Sequence, residues 1–236
     1  MNLYQNFGVV YDLFIVNYDR FFQFIDATIQ EYAHNPRSLL ELACGTGNIL
    51  QHFVNKYEIS GIDMSASMLK QAKKKLPDVP LFEMNMANFK LNKKFDLVLC
   101  MFDSINHLLE YKDWVMTFQC VKNHLNPGGV FMFDMNTLER LDRLSQSPAS
   151  VQQKDDAYLI MKLTKTDENV ANWNVKIFQK LRDDQYELRE DNIKETSFSP
   201  ERVKMDLEKF FGKVYIRPFD DRPNIVRDRI FFICLL

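Results

Sequence analysis

The sequence lacks the cysteine spacings that hold structural metals or redox centres. Its four cysteines lie far apart and form no C-x-x-C pair: Cys44, Cys100, Cys120 and Cys234. This spacing argues against a zinc knuckle and against a thioredoxin-type redox site. We therefore predict no metal site, and we expect free thiols in a reducing cytoplasm.

A charge excess and long hydrophobic runs are also missing. Lys and Arg total 30 against 32 Asp and Glu, a net charge of −2 that gives no reason to expect a nucleic acid partner. The longest apolar runs, 97–102 and 230–236, have the length of strands, so neither a signal peptide nor a transmembrane helix is predicted. We expect a cytoplasmic protein, a monomer or homodimer, that acts on a small molecule away from membranes.

The central part of the sequence has a regular alternation of short apolar runs and longer amphipathic stretches. The predicted strands are 38–43, 58–62, 79–83, 95–101 and 129–134, and the predicted helices are 48–56, 65–75 and 111–125. The turn Asn126-Pro127-Gly128-Gly129 is predicted to end the third helix and begin the fifth strand. This alternation predicts a doubly wound, mostly parallel α/β sheet whose ligand site lies at the carboxyl ends of the strands.

The flanking segments predict a cap and an insert around this core. Residues 3–33 carry apolar and aromatic residues at helical spacing, and three strand-like runs at 158–166, 172–181 and 186–196 predict an antiparallel meander. A capped helix from Ser199-Pro200 and two final strands end the chain. We predict a helical cap at 1–36, a core at 37–150 and 198–236, and an inserted β element at 151–197.

A glycine loop follows the first predicted strand in the segment Glu41-Leu42-Ala43-Cys44-Gly45-Thr46-Gly47. Its glycines let the backbone approach a ligand beneath a helix N-terminus. Asp63 ends the second strand, where it can either cap a helix or accept hydrogen bonds from ribose hydroxyls; beside the glycine loop the ribose role is favoured. Leu50 stands where the dinucleotide fingerprint needs a third glycine, which weakens an NAD interpretation.

This loop resembles that of class I S-adenosylmethionine-dependent methyltransferases, which usually read D/E-x-x-x-G-x-G; Ala43 departs from the glycine that many members carry. The resemblance implies a seven-stranded sheet with an antiparallel C-terminal strand, and S-adenosylmethionine as cofactor. Met64 and Met68 are then expected to sandwich the adenine, and Asn85 with the Met86 amide to contact its edge. The predicted cofactor-binding residues are Glu41, Ala43, Cys44, Gly45, Gly47, Asp63, Met64, Met68, Asn85, Met86, Cys100 and Met101.

The segment 99–108 after the fourth strand contains no Pro-Pro, which the enzymes that methylate a flipped base typically carry there. It is similar instead to small-molecule N-methyltransferases, including nucleotide-linked aminosugar N,N-dimethyltransferases, which have a histidine at the position of His107. The same group resembles this chain at Val10-Tyr11-Asp12-Leu13, where its tyrosine lies over the active site. The resemblance implies that His107 and Tyr11 are catalytic. Asp103 and Asn106 are polar residues on the same loop as His107, so they are candidates to bind the acceptor.

Each of these acceptor-site assignments has a structural alternative. His107 can take a proton from the acceptor or orient it, or it can simply bond a neighbouring carbonyl at a helix start. Tyr11 can be a core aromatic residue, and Asp103 and Asn106 can only shape the turn. The resulting prediction is methyl transfer by in-line displacement to a small molecule, to nitrogen in preference to oxygen. The alternatives are an NAD-dependent oxidoreductase and a non-catalytic S-adenosylmethionine-binding subunit.

A cluster of arginines near the end of the chain is a candidate anion site. Arg217, Arg222, Arg227 and Arg229 lie near the end of the chain, and they alternate with acidic residues. The acidic neighbours are Asp220, Asp221 and Asp228. Because mixed charges of this kind usually stay in water, the sequence predicts a solvated loop here.

Overall fold

The computed structural model describes residues 4, 6–14, 18–219 and 228–236. The helices are α1 (Phe7–Phe14), α2 (Asp19–Tyr32), α3 (Asn48–Phe53), α4 (Ala66–Lys75), α5 (Tyr111–His124), α6 (Leu138–Gln146) and α7 (Pro200–Leu207). The strands are β1 (Ser38–Leu42), β2 (Glu58–Asp63), β3 (Leu81–Glu83), β4 (Phe95–Cys100), β5 (Leu125–Asn136), β6 (Ser150–Lys154), β7 (Ala157–Lys165), β8 (Val170–Arg182), β9 (Gln185–Thr196), β10 (Lys213–Pro218) and β11 (Arg229–Leu235). Within these ranges, no helix is both long and apolar enough to cross a lipid bilayer.

Seven strands form the central sheet in the order β10-β11-β5-β4-β1-β2-β3. The five strands of the βαβ core pair in parallel, and β11 runs antiparallel to both β5 and β10. The predicted fold class is therefore confirmed. All five residues of β1 are buried, because helices cover both faces of a doubly wound sheet and leave no solvent side for a central strand.

Two apolar clusters fill the two faces of the sheet. On one face, α5 and α7 bury side chains such as Trp114 and Leu207; on the other, α2 and α3 bury side chains such as Phe21, Ile25 and Phe53. Residues of α2 at positions 21, 25, 28 and 29 share one buried stripe, as the helical spacing predicts. Burial of each large apolar side chain contributes about 1.5–3 kcal/mol to the free energy of folding. Packing on the sheet therefore stabilises these helices.

The strand β5 begins earlier than predicted. α5 ends at His124, and Leu125 already pairs with Phe95, so the predicted turn at 126–129 becomes an irregularity within the strand. The register shifts between Phe95 and Leu97, and Gly128 takes a φ of 75° in the bulged stretch. Bulges of this kind absorb an insertion without ending a strand.

The insert has four strands where the sequence predicted three. The additional strand, β6, reads Ser-Val-Gln-Gln-Lys and is fully exposed at the sheet edge, so it lacks the apolar alternation on which the prediction depended. The short helix α6 was also not predicted. Its N-cap Thr137 accepts a hydrogen bond from the Arg140 amide, and only Leu141 is buried on it.

Helix α1 lies between the insert and the core. Its Phe7 and Phe14 pack with Leu159, Val175 and Ile177 on the inner face of the insert. Its opposite side contacts α4, where a Cβ on Gly8 would come within 3.0 Å of the Met68 sulfur. The N-terminal segment is therefore fixed by tertiary contacts on two sides.

Candidate functional site

A cavity of about 930 Å³, including its open mouth, lies at the carboxyl ends of β1, β2 and β4. Its walls come from the loop after β1, the end of β2, the loop after β3, the segment 101–108 and the N-terminal segment. This is the edge at which doubly wound sheets bind ligands. Most of the predicted site residues meet here, although the chain separates them widely.

The glycine loop turns under the start of α3 in left-handed backbone conformations. Gly45 and Gly47 have φ values of 54° and 80°, and Ala43 has 51°. A left-handed alanine costs about 1 kcal/mol or more, which explains why a glycine is common at that position in the family that the loop resembles. Gly47 does not line the cavity, contrary to its predicted cofactor contact, because it packs against Ala72 and Leu76 of α4.

Asp63 connects the end of β2 to this loop. Its Oδ2 accepts a hydrogen bond from the Gly45 N–H at 2.8 Å, and its Oδ1 accepts one from the Ser65 N–H at 2.8 Å. Burial raises the pKa of the Asp63 carboxyl, and these amide donors oppose that effect. Each carboxylate oxygen can accept a further hydrogen bond, so Asp63 can hold ribose hydroxyls while it holds the loop.

Glu41 is a buried carboxyl without a hydrogen-bond partner at Oε2. It lines the cavity with 3 % of its surface exposed, and burial together with the nearby Asp63 raises its pKa well above the usual value. An orphaned carboxylate in a cavity wall fits a cationic group. The amino group of S-adenosylmethionine has the required charge, so the residues present fit this cofactor.

The adenine end of the cavity contains the predicted methionines. Met64 and Met68 line it, the first 46 % exposed and the second buried, and Asn85 and Met86 line the neighbouring wall. The Asn85 Oδ1 accepts a hydrogen bond from the Ala87 N–H at 2.8 Å, which fixes the loop after β3. Because an amide oxygen can accept two hydrogen bonds, Asn85 keeps the capacity to meet an amino group.

Of the remaining predicted cofactor residues, Cys44 and Met101 line the cavity, but Cys100 does not. The Cys100 side chain is fully buried, and its thiol contacts the Met86 sulfur at 3.9 Å. Alternate residues of a strand face opposite sides of the sheet, so Cys100 points into the core while Met101 reaches the cavity.

His107 lines the cavity beside Tyr4, and both of its ring nitrogens are engaged. Nδ1 lies 3.1 Å from the Lys194 carbonyl oxygen, and Nε2 lies 2.9 Å from the Tyr4 hydroxyl. Since a carbonyl only accepts, Nδ1 donates its proton to the Lys194 carbonyl, and in the tautomer protonated only at Nδ1 the Nε2 atom accepts from the Tyr4 hydroxyl. The ring thus turns its Nε2 toward the cavity, as an acid–base or orienting group requires.

Tyrosines from the N-terminal segment cover this part of the cavity. Tyr4, Tyr11 and Tyr18 all line the cavity, and the Tyr11 ring packs edge-on against Phe7 and Tyr4. Burial raises the pKa of the Tyr4 and Tyr11 hydroxyls well above the usual value, and that of Tyr18 to about 12, so all three remain protonated donors at neutral pH. The sequence singled out Tyr11, whereas Tyr4 makes the contact with His107.

Asn106 does not bind the acceptor as predicted, because it is fully buried. Its Nδ2 donates to the carbonyls of Asn136 and Thr196 at 3.1 and 2.7 Å, and its Oδ1 accepts from the Asn136 N–H at 3.0 Å. These bonds join the segment 104–107 to β5 and to the end of the insert. The structure therefore supports the alternative in which Asn106 shapes the turn.

Asp103 also lies outside the cavity wall. Phe102 and Asp103 both take left-handed conformations, with φ values of 59° and 51°, and this turn sends the Asp103 side chain to Arg229. The Asp103 N–H donates to Asp134 Oδ2 at 3.0 Å, and Arg229 also pairs with Asp134 at 3.4 Å. The predicted acceptor contact is corrected to an ion-pair network behind the wall.

This network removes Arg229 from the predicted solvated arginine loop, whereas the Arg217 pair lies at the surface. Arg229 is buried between two carboxylates, and Arg217 pairs with Glu31 at 2.6 and 2.8 Å. Asp228 pairs with Arg140 and Arg143. The remaining residues of that loop lie outside the described residues: Arg222, Arg227, Asp220 and Asp221. Among the described residues, no group of three or more His, Cys, Asp or Glu side chains is arranged to hold a metal ion.

Comparison with known proteins shows what the central part of the chain is similar to. Residues 39–129 match a family described as a methyltransferase domain. The chain is 38 % identical over 98 residues to dTDP-3-amino-3,4,6-trideoxy-alpha-D-glucopyranose N,N-dimethyltransferase of Streptomyces venezuelae, covering 41 % of each protein, so it spans less than half the length of that relative. This chain is therefore similar to S-adenosylmethionine-dependent methyltransferases.

Two further matches extend along almost the whole chain of this methyltransferase. A putative methyltransferase of Bacillus subtilis (strain 168), YqeM, is 27 % identical over 252 aligned positions that cover 98 % of this chain and 96 % of the relative. The crystal structure of an S-adenosylmethionine-dependent methyltransferase from Clostridium acetobutylicum ATCC 824 matches with a TM-score of 0.83 and 25 % identity over 99 % of this chain and 98 % of that one. The predicted cofactor is thus confirmed, and the oxidoreductase and non-catalytic alternatives receive no support.

Proposed function

We propose that this methyltransferase transfers the methyl group of S-adenosylmethionine to a nitrogen atom of a small-molecule acceptor. The observation that carries the proposal is that one cavity is lined both by the carboxylates Glu41 and Asp63 and by the His107–Tyr4 pair. The first relative named above is an aminosugar N,N-dimethyltransferase, which supports nitrogen in an amine as the acceptor atom.

The cofactor end binds by charge and by close backbone approach. Glu41 takes the amino group of the cofactor, Asp63 takes the ribose hydroxyls, and Met64 and Met68 contact the adenine. When bound there, S-adenosylmethionine supplies a methyl group already activated by its positively charged sulfur. The protein therefore needs mainly to align the acceptor, exclude water and receive a proton.

The acceptor end supplies the hydrogen-bonding groups. An acceptor N–H that replaces the Tyr4 hydroxyl meets the lone pair of His107 Nε2, while the Lys194 carbonyl keeps Nδ1 protonated. In this role His107 orients the nitrogen or takes its proton, and Tyr4 and Tyr11 close the site against water. The other described residues that line the cavity include no lysine or arginine, which favours a neutral or amine acceptor over one whose reacting part is anionic.

We also propose which parts of the chain bind the cofactor and which parts form the acceptor site. The core at 37–150 and 198–236 holds the cofactor, and the cap at 1–36, which packs on the insert at 151–197, covers the acceptor end. The inner face of the insert, which packs on α1, supports this assignment. We propose that the protein acts in the cytoplasm, which agrees with its four free cysteines. We also propose that it acts on a small molecule rather than nucleic acid, as a monomer or homodimer.

The test is a labelled-methyl assay across aminosugars, simple amines, amino acids and phenols. We expect labelled product from an amine, and we expect His107→Gln to lower turnover about tenfold to a hundredfold while cofactor affinity is unchanged. Tyr158→Phe on the insert, which removes a tyrosine hydroxyl away from the cavity, is the matched control. Product from phenols alone would overturn the nitrogen assignment, and cofactor binding without turnover on any acceptor would overturn catalysis.

A further inference from the structure

Helix α1 covers one side of the cofactor cavity, and it packs on the insert and α4 rather than on the central sheet. The N-terminal segment supplies three tyrosines to the cavity wall, Tyr4, Tyr11 and Tyr18, while the rest of the wall comes from the core. Gly8 of α1 packs directly on Met68, a residue of the predicted adenine site. A cofactor can therefore leave past this side only when α1 separates from the core.

One side chain of α1, Asp12, holds the helix onto the glycine loop. Its Oδ1 accepts hydrogen bonds from Thr46 Oγ1 at 2.7 Å and from Asn48 Nδ2 at 2.8 Å. Its Oδ2 pairs with Lys75 Nζ at 2.7 Å, and Lys75 also donates to Asn48 Oδ1 at 2.5 Å. A single carboxylate thus bridges α1, the glycine loop, the first turn of α3 and the end of α4.

The other end of α1 is fixed to the insert by a second carboxylate. Asp191 Oδ2 accepts from the backbone N–H groups of Asn6 and Phe7 at 3.0 and 2.7 Å, which caps the helix. An isolated helix of eight residues is not stable in water, so α1 depends on these two anchors and on its apolar contacts. Weakening one anchor lowers the free energy needed to open α1 locally.

We propose that Asp12 is a positioning residue that holds α1 and Tyr11 closed over the glycine loop and thereby sets the lifetime of the bound cofactor. This inference rests on the proposed function only for the identity of that cofactor. Asp12 is not needed to fold the core, because its side chain is 43 % exposed and all its partners lie at the protein surface or in the loop. The hydrogen bonds from Lys75, Thr46 and Asn48 lower the pKa of the Asp12 carboxyl against the effect of burial, so it remains ionised at neutral pH.

Dissociation of S-adenosylhomocysteine, measured by stopped-flow displacement with the full chain, tests the proposal. Asp12→Asn keeps the size of the side chain and removes the charge that Lys75 contacts. We expect this variant to release the ligand roughly tenfold faster, the factor given by losing one charge-assisted hydrogen bond. Asp78→Asn, which removes an exposed carboxylate from the loop after α4, is the matched control and should release the ligand at the wild-type rate.

A second variant distinguishes loss of the Asp12–Lys75 contact from a general loss of stability. Lys75→Met removes the cationic partner from outside the cavity, and it should raise the dissociation rate in the same direction. The double variant should release the ligand no faster than the faster single variant, because both changes break one contact. Unchanged dissociation in both single variants, or effects that multiply in the double variant, would overturn the proposal. A wild-type chain that binds no S-adenosylhomocysteine would instead overturn the proposed function.

Discussion

At the scale of single residues, the cavity carboxylates Asp63 and Glu41 differ in the hydrogen bonds that they accept from the protein. Asp63 has backbone donors on both oxygens, whereas Glu41 has an oxygen without a partner. Asp63 therefore organises the loop before any ligand binds, and Glu41 is left for a cation. Because the roles differ, substitutions at the two positions should have different signatures.

Replacing Asp63 by asparagine should weaken S-adenosylhomocysteine binding by about 1.5–3 kcal/mol, since hydrogen bonds to a charged acceptor have that strength. Asparagine keeps one acceptor oxygen, so it loses one of the two contacts to Gly45 and Ser65, whereas alanine loses both. Calorimetric titration at pH 7 measures the difference, with Asp113→Asn on α5 as control. An affinity equal to wild type in a folded Asp63→Asn variant would refute the ribose role.

Glu41 should link cofactor binding to pH. Burial raises its pKa in the free protein, and a bound ammonium group lowers that pKa again, so binding should release a proton at pH values between the two. The affinity for S-adenosylhomocysteine should therefore increase as pH rises toward that pKa, and Glu41→Gln should remove this increase. Titration in buffers of different ionisation enthalpy counts the released protons. An equal proton count in wild type and Glu41→Gln would assign the linkage to another group.

Some of these residues were predictable from the sequence and others were not. Asp63 and the glycine loop follow from local motifs, because strand, turn and helix fix their relation within one βαβ unit. The contact between Tyr4 and His107 joins residues 103 positions apart and has no local pattern. Asp103 and Asn106 were misassigned because the left-handed turn at 102–103 reverses the direction of side chains that a regular backbone would send into the cavity.

At the scale of elements, strand β2 passes directly behind the glycine loop. A Cβ on Gly61 would lie 2.7 Å from the Cys44 sulfur, 2.8 Å from Leu50 Cδ1 and 2.9 Å from Leu81 Cδ2. Three neighbours at such distances leave no room for a methyl group. The absence of a side chain at Gly61 thus allows β2, β3 and the loop to approach one another.

Gly61→Ala should therefore lower the free energy of unfolding by about 1–3 kcal/mol, the usual effect of overpacking, and should weaken cofactor binding through the displaced loop. Gly212→Ala is the control, because its nearest neighbour to a new Cβ, the Leu235 carbonyl oxygen, lies at an ordinary 3.7 Å. Urea unfolding of both variants gives the comparison. Equal stability of the two variants would contradict the packing described for β2.

The elements of the core were predicted well because their signal is local. Apolar runs, an N-cap such as Ser65 and the proline at the start of α7 mark their positions in the sequence itself. β6 and α6 were missed because one is an entirely exposed strand and the other buries a single leucine. Elements that contribute little to an apolar core leave little periodicity to detect.

At the scale of the whole molecule, buried charges join the core, the insert and the C-terminal strand. Glu195 of β9 accepts hydrogen bonds from Trp173 Nε1 and Asn136 Nδ2 at 2.8 and 3.0 Å, and it lies near the pair of Asp103 and Arg229. Burial and the charge of Asp103 raise the pKa of Glu195. No sequence pattern predicts this cluster, because its members come from five separate segments.

The cluster should make stability depend on pH. A carboxyl whose pKa is raised in the folded state binds a proton that the unfolded chain releases above about pH 4.3, so the free energy of unfolding falls as pH rises through the window above that value. The slope from Glu195 should not exceed about 1.4 kcal/mol per pH unit. Glu195→Gln should flatten the decline measured by urea unfolding between pH 5 and 8, and Glu187→Gln on the same strand should not. A parallel decline in both variants would show that Glu195 is ionised throughout.

The central claim concerns the whole molecule: the cavity between sheet, cap and insert binds S-adenosylmethionine rather than a dinucleotide. Calorimetric titration of the full chain with S-adenosylmethionine, S-adenosylhomocysteine and NAD tests it most directly. Saturable binding of the first two at one site per chain, with no heat from NAD, is the predicted result. Saturable binding of NAD with no response to either sulfur-containing ligand would contradict it.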